Sequence, residues 1–207
     1  MTPRSQTERR LRMLMFSSIA GWTITFPVGM IYLLIHTMIV YQTIPAATML
    51  GLLVNYGLIS GGIGGFSIAL GLRLSSRIPL LTTIGLTLSW AVSLAVGLIL
   101  GWLLVEQNND SLVIGILIGM TIGGGIGGAL TGFVVRQEIS ARRQAVWRIA
   151  IGWAMSLLIG NGVAYGALYA LSRIPHLFSF SLIPVLAILG GAIAGTIGSR
   201  IMIQQLS

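Results

Sequence analysis

Apolar runs of about 20 residues or more recur along the whole of this 207-residue chain. Each is long enough to cross a hydrocarbon layer of about 30 Å as a helix. No other property of the sequence constrains its fold as much. The runs cover residues 14–40, 47–72, 79–105, 112–135, 147–171 and 180–203. Short polar breaks divide them: Gln42 to Pro45, Arg73 to Pro79, Glu106 to Asp110, Arg136 to Arg148, and Arg173 to His176. Only helices or closed barrels satisfy backbone polar groups in lipid. Barrel strands alternate in polarity over about ten residues, which these long uniform runs do not. Charged residues make up only 8% of the chain, against about 25% in soluble domains, too few to cover a water-facing surface. The prediction is therefore an all-α membrane protein with six transmembrane helices in one membrane domain, 1–207. The basic start of the chain superficially resembles a secretory signal, but the apolar run after it exceeds the 7–15 residues of a signal core. It reads as the first span.

The arginines predict an orientation. Twelve arginines face four acids, with no lysine, giving a net charge of +8. Arg4, Arg9, Arg10 and Arg12 precede the first span; Arg73 and Arg77 follow the second; Arg136, Arg142, Arg143 and Arg148 lie between the fourth and fifth; Arg200 ends the sixth. With six spans, all of these fall on one side, and only Arg173 falls on the other. The positive-inside rule then places both termini in the cytoplasm, in a cell inner (cytoplasmic) membrane. Orientation accounts for the basic excess. Nucleic-acid binding is not expected, since no basic patch with interleaved aromatics stands outside the spans.

The spans also repeat. Trp22, Trp90 and Trp153 stand in the odd spans, 68 and then 63 residues apart. Three residues after each comes Thr25, Ser93 or Ser156, and seven residues after each comes Gly29, Gly97 or Gly160. The pattern Trp-x-x-[Ser/Thr]-x-x-x-Gly thus occurs three times. In the even spans, Gly61-Gly62-Ile63-Gly64-Gly65 recurs 63 residues later as Gly124-Gly125-Ile126-Gly127-Gly128. Gly190, Gly191 and Gly195 form a looser third copy. The implied units are about 14–77, 79–142 and 147–203. Each holds two spans, so all three enter the membrane in the same direction, as a pseudo-threefold bundle of parallel-oriented two-helix repeats.

Small residues recur every fourth position in the even spans, and residues four apart share a helix face. The helix-packing candidates are Gly57, Gly61 and Gly65; Gly119, Gly123 and Gly127; and Gly191 and Gly195, with a second row at Gly124, Gly128 and Gly132. Such rows let backbones approach closely where lipid supplies no hydrophobic drive between helices. Gly123, Gly125 and Gly128 formally match a dinucleotide fingerprint. They lack its preceding strand and the ribose-binding acid about 20 residues on, so packing is the expected role.

Candidate sites are sparse. No acid or lysine lies near a midplane, which argues against proton-coupled transport, ion pumping and voltage sensing. Asn55 and Asn161 are the midspan amides. They are read first as helix-to-helix hydrogen bonders; with Tyr165, one turn beyond Asn161, they are the candidates to line a polar substrate path. His36 and His176 fall on one side, yet without carboxylates a metal site is under-supplied. No metal or other cofactor is expected. Glu138 is expected to pair with Arg142, and Pro27 to kink the first span with Thr25 absorbing the freed carbonyl. The three tryptophans read as anchors or core. No histidine stands at matching depth to activate a serine nucleophile, so the chain is not expected to be an enzyme.

The stretch from Gly132-Phe133-Val134-Val135-Arg136 through Trp147-Arg148-Ile149-Ala150-Ile151-Gly152-Trp153 resembles a family of uncharacterised bacterial multi-pass membrane proteins, cyanobacterial and Chloroflexi-like. In that family an arginine closes one Gly-rich helix and a Gly-Trp pair opens the next. The resemblance implies a fold of two-helix repeats and no particular activity. The expected function is a packing or accessory subunit of a membrane assembly, in contact with the lipid bilayer and with a membrane-protein partner or further copies of itself. The alternative is a channel or facilitator for a small neutral solute.

Overall fold

The computed structural model describes residues 3–39, 46–106, 112–139, 143–173 and 182–206. Six helices account for almost all of them: α1 Pro3–Ile39, α2 Ala46–Ser76, α3 Leu80–Glu106, α4 Leu112–Ile139, α5 Gln144–Ser172 and α6 Leu182–Leu206. All six are long and apolar enough to span a membrane. The expected all-helical class and number of spans hold.

The helices outrun the hydrophobic spans read from the sequence. α1 begins at Pro3, well before the apolar run, and carries Arg4, Arg9, Arg10 and Arg12 on a helical extension. Proline is tolerated in a first turn, where its missing N–H has no helical acceptor. Glu8 precedes Arg12 at the favourable i, i+4 order. Between α2 and α3 only Arg77, Ile78 and Pro79 remain outside helix. Arg77 adopts a left-handed φ of 58°, and its N–H donates to the Arg73 carbonyl at 2.9 Å. That single turn ends α2 and reverses the chain.

Each helix packs on its neighbours in the chain, and α6 closes onto α1. Within every packed pair the contacts run antiparallel. Gly119 and Gly123 of α4 meet Leu98 and Leu94 of α3. Gly128 and Gly132 meet Ile149 and Val146 of α5. Gly191 and Gly195 of α6 meet Trp22 and Ile19 of α1. A Cβ at Gly132 would stand 2.6 Å from Val146 Cα, and one at Gly195 would stand 2.8 Å from Ile19 Cα. Nothing larger than hydrogen fits at these points.

Polarity is distributed as lipid requires. Large aliphatic side chains such as Leu81, Leu88 and Ile151 face outward, while Ser18, Thr25, Ser60, Ser67, Thr131, Ser156 and Ser199 are buried. Most buried hydroxyls bond a carbonyl three or four residues back in their own helix: Thr25 to Gly21 at 2.8 Å, Ser67 to Gly64 at 2.6 Å, Ser156 to Trp153 at 3.0 Å. Such back-bonding satisfies a hydroxyl without a partner helix. α1 runs on through Pro27. The carbonyl that Pro27 leaves without an amide is that of Thr23; the Thr25 hydroxyl bonds Gly21 instead.

Candidate functional site

The three tryptophans of the recurring motif meet. Ring centroids lie 5.5 Å apart for Trp22 and Trp90, 5.6 Å for Trp22 and Trp153, and 5.3 Å for Trp90 and Trp153. Two of the three pairs are edge-to-face, the geometry favoured by the ring quadrupole and worth about 0.5–1.5 kcal/mol per pair beyond burial. Phe26 adds a further edge contact on Trp22 at 6.1 Å. All three indoles are completely buried.

Local sequence explains why three such large rings fit together. Each indole lies against a glycine of an even helix: Trp22 against Gly64, Trp90 against Gly127, Trp153 against Gly198. A Cβ at those glycines would stand 2.7, 2.7 and 2.6 Å from the nearest ring carbon. The motif glycine seven residues on plays a second part. Gly29 lies on Tyr56 and Ser60 of α2, Gly97 on Gly119 and Gly123 of α4, and Gly160 on Gly190 and Ala194 of α6. Each odd helix is thereby drawn against the even helix that follows it in the chain.

The indole N–H groups are not equivalent. Trp90 Nε1 donates to Thr131 Oγ1 at 2.9 Å, and Thr131 Oγ1 donates to the Gly127 carbonyl at 2.9 Å. Trp22 Nε1 and Trp153 Nε1 are buried without a protein partner among the described residues, as are Ser18 Oγ, Ser60 Oγ and one guanidinium nitrogen of Arg73. Sixty-three residues before Thr131, in the register of the glycine-rich segments, stands Ile68, which offers no acceptor. The α6 residue against Trp153 is Gly198, and one turn beyond it, where Thr131 stands relative to Gly127, is Met202, which carries no hydroxyl.

The midspan amides separate. Asn161 is buried, and its Nδ2 donates to the Leu157 carbonyl of its own helix at 2.8 Å. Tyr165 is half-buried one turn on, whereas Asn55 is exposed on α2. α2 and α5 share none of the six main helix interfaces. Near the end of α5, Arg173 donates to the Tyr169 hydroxyl and stands 4.9 Å over its ring. No group of three or more His, Cys, Asp or Glu that could hold a metal occurs among the described residues. The side chains of His36, His176, Glu106, Asp110, Glu138 and Arg142 lie outside the described residues.

The convergence of the tryptophans is the feature that reading the sequence missed. Its signal was present: one motif with one internal spacing, three times, in helices that the arginine pattern predicts to enter the same way. The Thr131 acceptor had a weaker signal, a hydroxyl one turn beyond Gly127. No protein-family model, curated protein or solved structure matches the chain.

Proposed function

We propose that this chain is a non-enzymatic accessory subunit of an inner-membrane assembly, and that it docks a neighbouring transmembrane helix on the outward face of α5. One observation carries the reading. Gly162, Gly166 and Ala170 stand four apart on α5 and are all exposed. A Cβ at Gly162 or Gly166 would meet nothing within 4 Å. Glycine within a helix costs about 1 kcal/mol relative to alanine. The other glycine rows offset that cost by close packing inside the bundle; this one meets no neighbour among the described residues. A small-residue row open to lipid is what a second helix uses to approach. α5 is also the most open span, with 28% of it buried against 61% of α2.

The overall arrangement under this reading is a pseudo-threefold bundle of three parallel two-helix repeats. The antiparallel pairing of all neighbours and the meeting of Trp22, Trp90 and Trp153 support it. Arg12, Arg73, Arg77, Arg136, Arg143, Arg148 and Arg200 then gather at the cytoplasmic end, with both termini. The completely buried indole cluster speaks against a solute path along the axis, as does the outward placement of Asn55.

Gentle detergent extraction of the native membrane tests the docking face. The wild-type chain should co-purify with a membrane protein or a second copy of itself. The G162L/G166L variant should run alone with unchanged thermal stability. A wild-type chain that runs as a lone stable monomer removes the reading. Flux of small neutral solutes into proteoliposomes above empty controls would favour the facilitator instead.

A further inference from the structure

Where the α4–α5 seam ends, the two helices leave a cleft of about 170 Å³. Ala129, Phe133 and Arg136 line it from α4; Val146 and Trp147 of α5 and the preceding Arg143 line it from the other side. Spacings of three and four residues place each set on one helix face. Among the described residues the lining carries two charges, both positive, and no acid. Phe133 is 48% exposed and Trp147 68% exposed, although both are large and apolar. Beyond them the outward surface stays apolar, through Leu130 on α4 and Ile151 and Met155 on α5.

This combination has a chemical complement. Arginine guanidinium groups present forked donors that match phosphate oxygens. An exposed tryptophan beside them belongs at the level of lipid headgroups. An apolar wall running from the cations toward the hydrocarbon suits an acyl chain, and suits neither a free anion nor an acidic peptide. We propose that the cleft binds one anionic glycerophospholipid, its phosphodiester between Arg136 and Arg143 and one acyl chain along Phe133, Ala129 and Trp147. Basic pockets between membrane helices recognise headgroups in this way. The assignment rests on the reading that the helices span a bilayer. It is independent of the docking face at Gly162 and Gly166, which lies further along α5.

The test is lipid retention by the full chain, measured by native mass spectrometry after exposure to equal phosphatidylglycerol and phosphatidylcholine. Phosphatidylglycerol should be retained on the order of tenfold better, since each arginine near the headgroup contributes severalfold. R136Q/R143Q should bring the two lipids to parity, and R200Q should leave the preference intact. Both cleft arginines are exposed, so circular dichroism should report an unchanged fold. Trp147→Ala should lower retention of both lipids while keeping their ratio. Equal retention by the wild type, or a preference that survives R136Q/R143Q, overturns the proposal. So does inorganic phosphate binding as tightly as the lipid, which would mark a free-anion site.

Discussion

Trp90 and Thr131 form the one hydrogen bond that, among the described residues, ties the buried indole cluster to a neighbouring helix, at 2.9 Å between α3 and α4. The threonine is itself anchored on the Gly127 carbonyl, so the acceptor is held in place before the indole meets it. Thr131→Val keeps the shape and removes the acceptor. A buried donor left without a partner costs about 1–3 kcal/mol, so thermal unfolding in detergent should fall accordingly. Thr131→Ser should retain most of the stability. Equal midpoints for valine and wild type would show that the bond contributes nothing.

Gly61 and Gly62 are adjacent in α2 and should respond oppositely to alanine. A methyl at Gly61 would strike the Trp90 carbonyl oxygen and Ala91 Cα, both backbone. Overpacking of this kind costs about 1–3 kcal/mol or more. A methyl at Gly62 meets nothing within 4 Å, and alanine there should stabilise the helix by roughly 0.5–1 kcal/mol. Unfolding curves of the two variants, measured side by side, should straddle the wild type.

The indole cluster should be visible spectroscopically. Rings with centroids 5.3–5.6 Å apart couple their transitions, so the native protein should show an exciton feature in its circular dichroism. Replacing any one of Trp22, Trp90 or Trp153 by phenylalanine should remove most of that feature. The exposed Trp147 serves as the control: Trp147→Phe should leave it unchanged.

Arg77 occupies a conformation that suits glycine. At φ 58° a side chain crowds its own backbone, a penalty of about 1 kcal/mol that glycine escapes. Arg77→Gly should therefore raise stability by a few tenths to 1 kcal/mol. Under the proposed orientation the arginine's charge would help hold that turn on the cytoplasmic side. The same variant should weaken orientational bias when insertion is scored with topology reporters.

Much of the architecture was legible in the chain because lipid imposes strict rules. A helix that must satisfy its own backbone in hydrocarbon needs a long apolar run, and six such runs appeared in six helices. The ends were less legible. Past the hydrocarbon a helix can stop or continue at little cost, so residues 3–13 and 136–139 extended helices beyond their apolar spans. The candidate polar path was legible only as residue types. Asparagine in a span announces that it needs partners, but rotation of the helix decides where it points. Asn161 turned inward to its own backbone and Asn55 turned outward.

By itself, then, the sequence determined the helical class, the number of spans and the positions where helices can approach closely, because these follow from local hydrophobicity and side-chain size. Tertiary structure decided which glycine row meets which helix, since one row of spacing four looks like another until a neighbour fills it. Gly61 and Gly128 were taken by α3 and α5, while Gly162 and Gly166 were left open. It also decided that Trp22, Trp90 and Trp153 would pack against one another. Their sequence spacing set them in corresponding helices, but only closure of α6 onto α1 brought three separate rings to one point.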